Sequence, residues 1–266
     1  MSSDYILAYG THASAHDGRC AMEWVSYLAG EPHSDQPICV SPVLRAMCIA
    51  LNDGLEQQPR QRLRPYLTRT IGTSQDGLDT QRGWMAMDWL ARVYTPAWLR
   101  LAGLTHAAER LEADAVIHGP DDLAAALDLL EVARRETRAA RAHAFGSPLP
   151  TGWAAALAAG VAGREAAWAC AGAAAWAAAR IGIGDIAGDR ARAAARAAAG
   201  DAAAIAVRHS RASACHAGAR AAAHAALEPT LERLAASALT LLDRMLPTEV
   251  LPVPEPALAP PTPALL

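Results

Sequence analysis

Lysine is absent from this 266-residue chain, phenylalanine occurs once, and no long uncharged apolar run is present. Each absence narrows what the protein does. Without lysine, all 24 basic residues are arginine, which reads as the codon choice of a GC-rich genome rather than a binding requirement. Against 27 acidic residues they leave a net charge of −3, so there is no global basic field of the kind that gives strong nonspecific DNA binding. The longest uncharged alanine-rich stretch, residues 166–179, is too short and too weakly apolar to cross a bilayer. Residues 1–9 carry neither a basic n-region nor a long apolar h-region, so no secretory signal is expected. The five cysteines are odd in number and contain no CxxC pair, which fits reduced thiols. These absences lead us to expect a cytoplasmic protein with no membrane and no nucleic-acid partner.

What is present points to helix. Seven Trp and five Tyr stand in for phenylalanine, β-branched residues are sparse, and alanine dominates from about residue 122 onward. A chain of this length buries a sizeable core in one large or two smaller domains. Charge is uneven along it: −1 over residues 1–110, −3 over 111–150, +3 over 151–246 and −2 beyond.

In the front third, start and stop signals predict short helices. Asp17 is placed to cap a helix that runs to Leu28 and stops at Gly30, with Trp24, Leu28, Ala21, Val25 and Ala29 on its core face and Glu23 turned to solvent. Ser41-Pro42 opens a second helix with Val43, Leu44, Met47, Cys48 and Leu51 inward, ending near Gly54. Pro59 starts a third, bent or restarted at Pro65, and residues 72–77 read as a polar loop. Residues 79–94 form the central helix of this module, with Arg82, Asp88 and Arg92 on its polar side. Thr95-Pro96 repeats the cap-then-proline start, Gly103 closes that short helix, and another spans 104–112.

Beyond Gly119-Pro120, a long helix carries Leu123, Leu127 and Leu130 on one side and a Glu131–Arg135 pair. Residues 146–150 read as a linker. Residues 153–226 are low in complexity, and alanine's high propensity and small side chain predict two or three closely packed helices, broken near 182–184 and around Ser210. In the last predicted helix, 229–246, Leu231, Leu234, Leu241 and Met245 fall with Leu227 and Ala238 on a spacing of fours and threes, an a/d seam of about three heptads. The proline-rich residues 247–266 read as an extended, disordered tail.

Potential ligands are densest between His12 and Cys39: His12, His16, Asp17, Cys20, Glu23, His33, Asp35 and Cys39. A zinc site needs three or four converging N, S or O atoms, and His16, Cys20 and Glu23 lie along one side of the first helix, with His12 just before it. The spacing matches no known metal signature. Capping by Asp17, a boundary position for Cys20 and a turn at His33–Asp35 account for the same residues without a metal. A Cys–His nucleophilic pair lacks any visible means of activating the thiol. Asp88 is explained by Arg92 one turn on. Neither 72–77 nor 181–184 is a phosphate-binding loop or follows a predicted strand. Asp185, Asp189, Arg192 and Arg196 share one helical stripe, read as a solvated face with internal ion pairs. Arg190, Arg208, Arg211 and Arg220 suit an acidic partner better than nucleic acid, since acids interleave and aromatics are not near.

The passages HDGRCAMEWVSYLAGEPHSDQPICVSPVLRA and LRPYLTRTIGTSQDGLDTQRGWMAMDWLARVYTPAWLRLAGL, with the closing LEPTLERLAASALTLLDRML, resemble a group of uncharacterised proteins from high-GC actinobacteria. The likeness covers residues 5–105 and 227–246. It implies a front module followed by an Ala/Trp/Arg-rich helical section, and it implies no activity, cofactor or catalytic residue.

The expectation is therefore an all-α protein: a compact multi-helix module over 1–113, long alanine-rich packed helices over 114–246, and a tail over 247–266. No complete catalytic constellation appears, so the leading function is a non-enzymatic helical binding or regulatory protein, with a protein partner or a second copy meeting the Leu231–Met245 seam. The alternative is a metal-dependent helical enzyme, such as a hydrolase, holding a divalent ion on His12, His16, Cys20 and Glu23.

Overall fold

A computed structural model of the protein describes residues 5–146, 153–168, 171–209 and 219–249. Among them every regular element is a helix, and no helix is long and apolar enough to cross a membrane. The front part holds α1 (Ala21–Leu28), α2 (Pro42–Gly54), α3 (Gln57–Arg60), α4 (Arg64–Thr70), α5 (Asp79–Trp89), α6 (Thr95–Leu101) and α7 (Thr105–Glu112). Longer helices follow: α8 (Pro120–Gly146), α9 (Trp153–Trp168), α10 (Ala171–Gly182), α11 (Ile186–His209) and α12 (Ala219–Met245). Of the linker expected at 146–150, Gly146 ends α8 and residues 147–150 lie outside the described residues, as do the break at Ser210, Cys170, Cys215, Arg211, the tail beyond 249 and the side chain of Arg220.

Local chemistry explains the front helices. Ser41 caps α2 through Leu44 N–H at 3.3 Å and donates its own hydroxyl to Asp79, which ties the start of α2 to the start of α5. The buried Arg60 closes the other end of α2, donating to the carbonyls of Asn52 at 2.6 Å and Leu55 at 2.8 Å. Residues 5–20 are irregular but anchored. The Gln61 amide exchanges hydrogen bonds with Leu7, at 2.9 and 3.1 Å, and Asn52 donates to the Ala8 carbonyl at 3.0 Å.

Composition changes near residue 122, yet the core is continuous across that point. Helix α10 packs on α2 and α5, α11 on α8, α9 and α6, and α12 chiefly on α9. Alanine makes this possible. Ala174, Ala175, Ala178 and Ala179 on α10, and Ala191, Ala194, Ala195, Ala198 and Ala199 on α11, are fully buried or nearly so. Each methyl contributes only about 0.8 kcal/mol of transfer free energy, so the cohesion comes from many close backbone approaches rather than large side chains.

Four expectations about the helices are corrected. The first begins at Ala21 with Cys20 as its N-cap, three residues after Asp17. Thr95-Pro96 starts nothing: α5 runs through a π-helical turn, Leu90–Tyr94, straight into α6. Pro96 lacks the N–H an α-helix needs there, and the wider turn relieves the clash of its ring with the carbonyl four residues back. Thr95 meets the Leu90 carbonyl with both its N–H and, at 2.7 Å, its hydroxyl. Pro229 likewise sits inside α12, which starts ten residues earlier than the proline suggested.

Finally, two arginines assigned to solvated faces are buried. Arg82 reaches the Met245 carbonyl at 3.0 Å and the Asp76 carboxylate at 2.5 and 2.8 Å. Arg192 reaches the carbonyls of Ile183 at 2.9 Å and Ala179 at 3.3 Å, and pairs with Asp189. Both neutralise the exposed carbonyls that end a helix, α12 and α10 respectively. Arg69 adds a hydrogen bond to the Pro247 carbonyl at 2.9 Å.

Candidate functional site

Of the four residues expected to ligate a metal, the structure brings His12 and Glu23 together. Glu23 is fully buried rather than solvent-facing, because as the third residue of α1 its side chain turns back over the helix start. One carboxylate oxygen accepts the His12 N–H at 2.6 Å, and the other accepts the Cys20 N–H at 2.7 Å. The second oxygen also lies 2.8 Å from His12 Nδ1. His33, in the wider group of potential ligands but not among the four, places Nε2 3.0 Å from the His12 carbonyl and 3.8 Å from the Glu23 carboxylate.

Burial alone would raise the Glu23 pKa. The His12 and Cys20 N–H groups and the His12 imidazole outweigh it and hold the carboxyl below its ordinary value. Because an ionised carboxylate can only accept, Nδ1 of His12 is the donor in this pair.

Cys20 meets this carboxylate through its backbone; burial pushes its thiol up to about 12. His16 is exposed, with its N–H on the Ser14 hydroxyl at 3.3 Å. Among the described residues no three His, Cys, Asp or Glu side chains gather so as to hold a metal ion. Burial likewise raises Cys39 and Cys48 to about 12, so at neutral pH these thiols are protonated and offer no nucleophile.

Asp88 does pair with Arg92, at 3.4 Å, but it also accepts the Ile117 N–H at 3.1 Å. It holds down the chain between α7 and α8.

On α12, Leu234, Leu241 and Met245 are buried in the core of their own chain. Leu231 is only partly covered and faces a groove of about 510 Å³ between α12 and the corner joining α2 to α3. Leu55, Pro59, Ala171, Leu231 and Ala235 give the groove an apolar lining, and Glu56, Glu228, Glu232, Arg62 and Arg233 rim it. Residues some 170 positions apart compose it, so no local pattern in the sequence signals it; only Leu231 was singled out, as part of the heptad seam. No protein-family model, no curated protein and no solved structure matches this chain.

Proposed function

We propose that the chain is a non-enzymatic helical binding protein that receives an amphipathic segment of a protein partner in the groove between α12 and the α2–α3 corner. The groove itself carries this reading: an apolar floor around Leu231, with charged side chains on its rim. Three rim carboxylates, Glu56, Glu228 and Glu232, have no ion pair among the described residues, against two guanidiniums, so the fitting segment carries a positive excess. The volume takes a few side chains of a helix or extended strand rather than a whole domain.

The test is to isolate partners from the native host and reconstitute the purified pair. Binding should saturate, weaken with salt, and fall at least about tenfold with Leu231→Arg, which fills and charges the floor. A reconstituted partner indifferent to Leu231→Arg, or no saturable partner at all, overturns the reading.

One observation favours a second reading, the metal-dependent enzyme. Glu23 orients His12 through Nδ1, as carboxylates orient metal-bound imidazoles. Elemental analysis of untagged protein separates the two: a stoichiometric divalent ion lost in His12→Ala supports the enzyme.

A further inference from the structure

We propose that a second cleft, between α9 and α11, is a binding site for a small aromatic carboxylate. The cleft encloses about 370 Å³ and is lined by Arg164, Glu165 and Trp168 of α9, by Ala193, Arg196, Ala197 and Gly200 of α11, and by Tyr94 of the π-helical turn. It shares no residue with the groove on α12.

Its three charges, Arg164, Glu165 and Arg196, are unequal in availability; Glu165 is exposed and already engaged by another group. Arg164 lies 3.4 Å from Asp201 Oδ1, which Arg141 also approaches at 3.6 Å, so that cation is held by a buried carboxylate. Arg196 has no carboxylate partner among the described residues; its guanidinium lies over the Trp168 ring, 3.9 Å from the centroid. A guanidinium stacked on indole keeps its N–H edge open in the ring plane, the geometry that grips a carboxylate with two parallel hydrogen bonds.

The rest of the cleft suits a flat apolar body. Positions 193 and 197 share one face of α11 and carry only methyl groups, which leaves a slot in the cleft beside Trp168, while the Arg164 side chain lies over Gly200. Tyr94 borders the cleft but is almost wholly buried, stacked on Trp89, and its hydroxyl is already spent, donating to the Ala167 carbonyl at 2.8 Å, so the Trp168 indole supplies the aromatic surface. One available cation beside a slot of this size fits a monoanion carried on one or two fused rings. A phosphate dianion would need a second uncommitted cation, and Arg164 is taken.

The test titrates benzoate and 2-naphthoate into the full-length protein by calorimetry. At least one should bind saturably at one site, with 2-naphthol, which keeps the ring and lacks the carboxylate, at least about tenfold weaker. Arg196→Ala should weaken the carboxylate by a similar factor. Ala197→Leu fills the slot without touching the charge and should do the same, which keeps the test decisive if Arg196→Ala melts early. Inorganic phosphate should not displace the bound carboxylate. Failure of both carboxylates to bind, unchanged affinity in Ala197→Leu, or displacement by phosphate at equal concentration would overturn the proposal. None of these outcomes bears on the α12 groove.

Discussion

Gly83 of α5 and Gly182 at the end of α10 touch with no room for a side chain on either. A Cβ placed on Gly182 would lie 2.5 Å from the Gly83 Cα, and one on Gly83 would lie 2.7 Å from the Gly182 Cα. Backbone meets backbone at this crossing, so neither atom has a flexible end that could yield. The contact locks the alanine-rich half of the chain to the front helices.

Gly182→Ala should therefore destabilise the protein by about 1–3 kcal/mol, the usual range for overpacking, after subtracting the modest helix-propensity gain of alanine. Gly119→Ala, where an added methyl meets nothing within 4 Å, should stay within about 0.5 kcal/mol. Urea midpoints at unchanged m-value measure both. Equal effects at the two sites would contradict the crossing.

Glu23→Gln should cost about 1–3 kcal/mol at neutral pH, since an amide oxygen cannot replace a carboxylate that accepts hydrogen bonds at both oxygens. The pH dependence has a definite sign. The folded carboxyl ionises below its ordinary value of 4.5, so its contribution is complete above that value and is lost as pH falls through the lower, folded one. Denaturation of both proteins from pH 7 to pH 3 should show the gap between them closing at the acid end. A gap that widens there refutes the assignment.

Arg82→Met removes the cation from a fully buried site and leaves Asp76, itself only slightly exposed, without its partner. The loss should be about 3 kcal/mol, as for other buried pairs broken on one side. Because Arg82 also holds the Met245 carbonyl, hydrogen exchange should rise first in the last two turns of α12. Uniform exchange along α12 would argue against that role.

Leu234→Asp puts a carboxylate where the side chain is buried within its own chain. Melting should fall by the equivalent of at least about 3 kcal/mol and by the same amount at every protein concentration. A loss that shrinks as concentration rises would show instead that the seam joins two copies, which sedimentation would confirm.

Local grammar carried much of the fold. Ser41-Pro42, Gly30 and Gly103 mark helix ends in the sequence and do so in the structure. The same grammar misleads at Pro96 and Pro229, because a proline just after a π-turn or inside a continuous helix looks like one at a helix start. Glu23 was recoverable: a glutamate three residues after Cys20 is a capping-box position, and choosing Asp17 as the cap hid it. Arg82 and Arg192 were not recoverable from a helical wheel. Each is buried by hydrogen bonds to backbone carbonyls of another element, and carbonyls carry no sequence signature. The α12 groove and the α9–α11 cleft share that property, each being composed across elements distant in the chain.

The π-helical turn at Leu90–Tyr94 also decides which neighbours the rod from Asp79 to Leu101 can serve. One extra residue in the turn advances every later side chain by about 100° around the axis. Before it, α5 faces α10; after it, α6 faces α11, with Trp98 and Leu99 fully buried. Removing a single residue from this turn would swing Trp98 out of the core without disturbing a single residue before it. The insertion thus works as a coupling with a fixed angular offset, by which one shaft seats two partners that a straight helix could satisfy only one at a time.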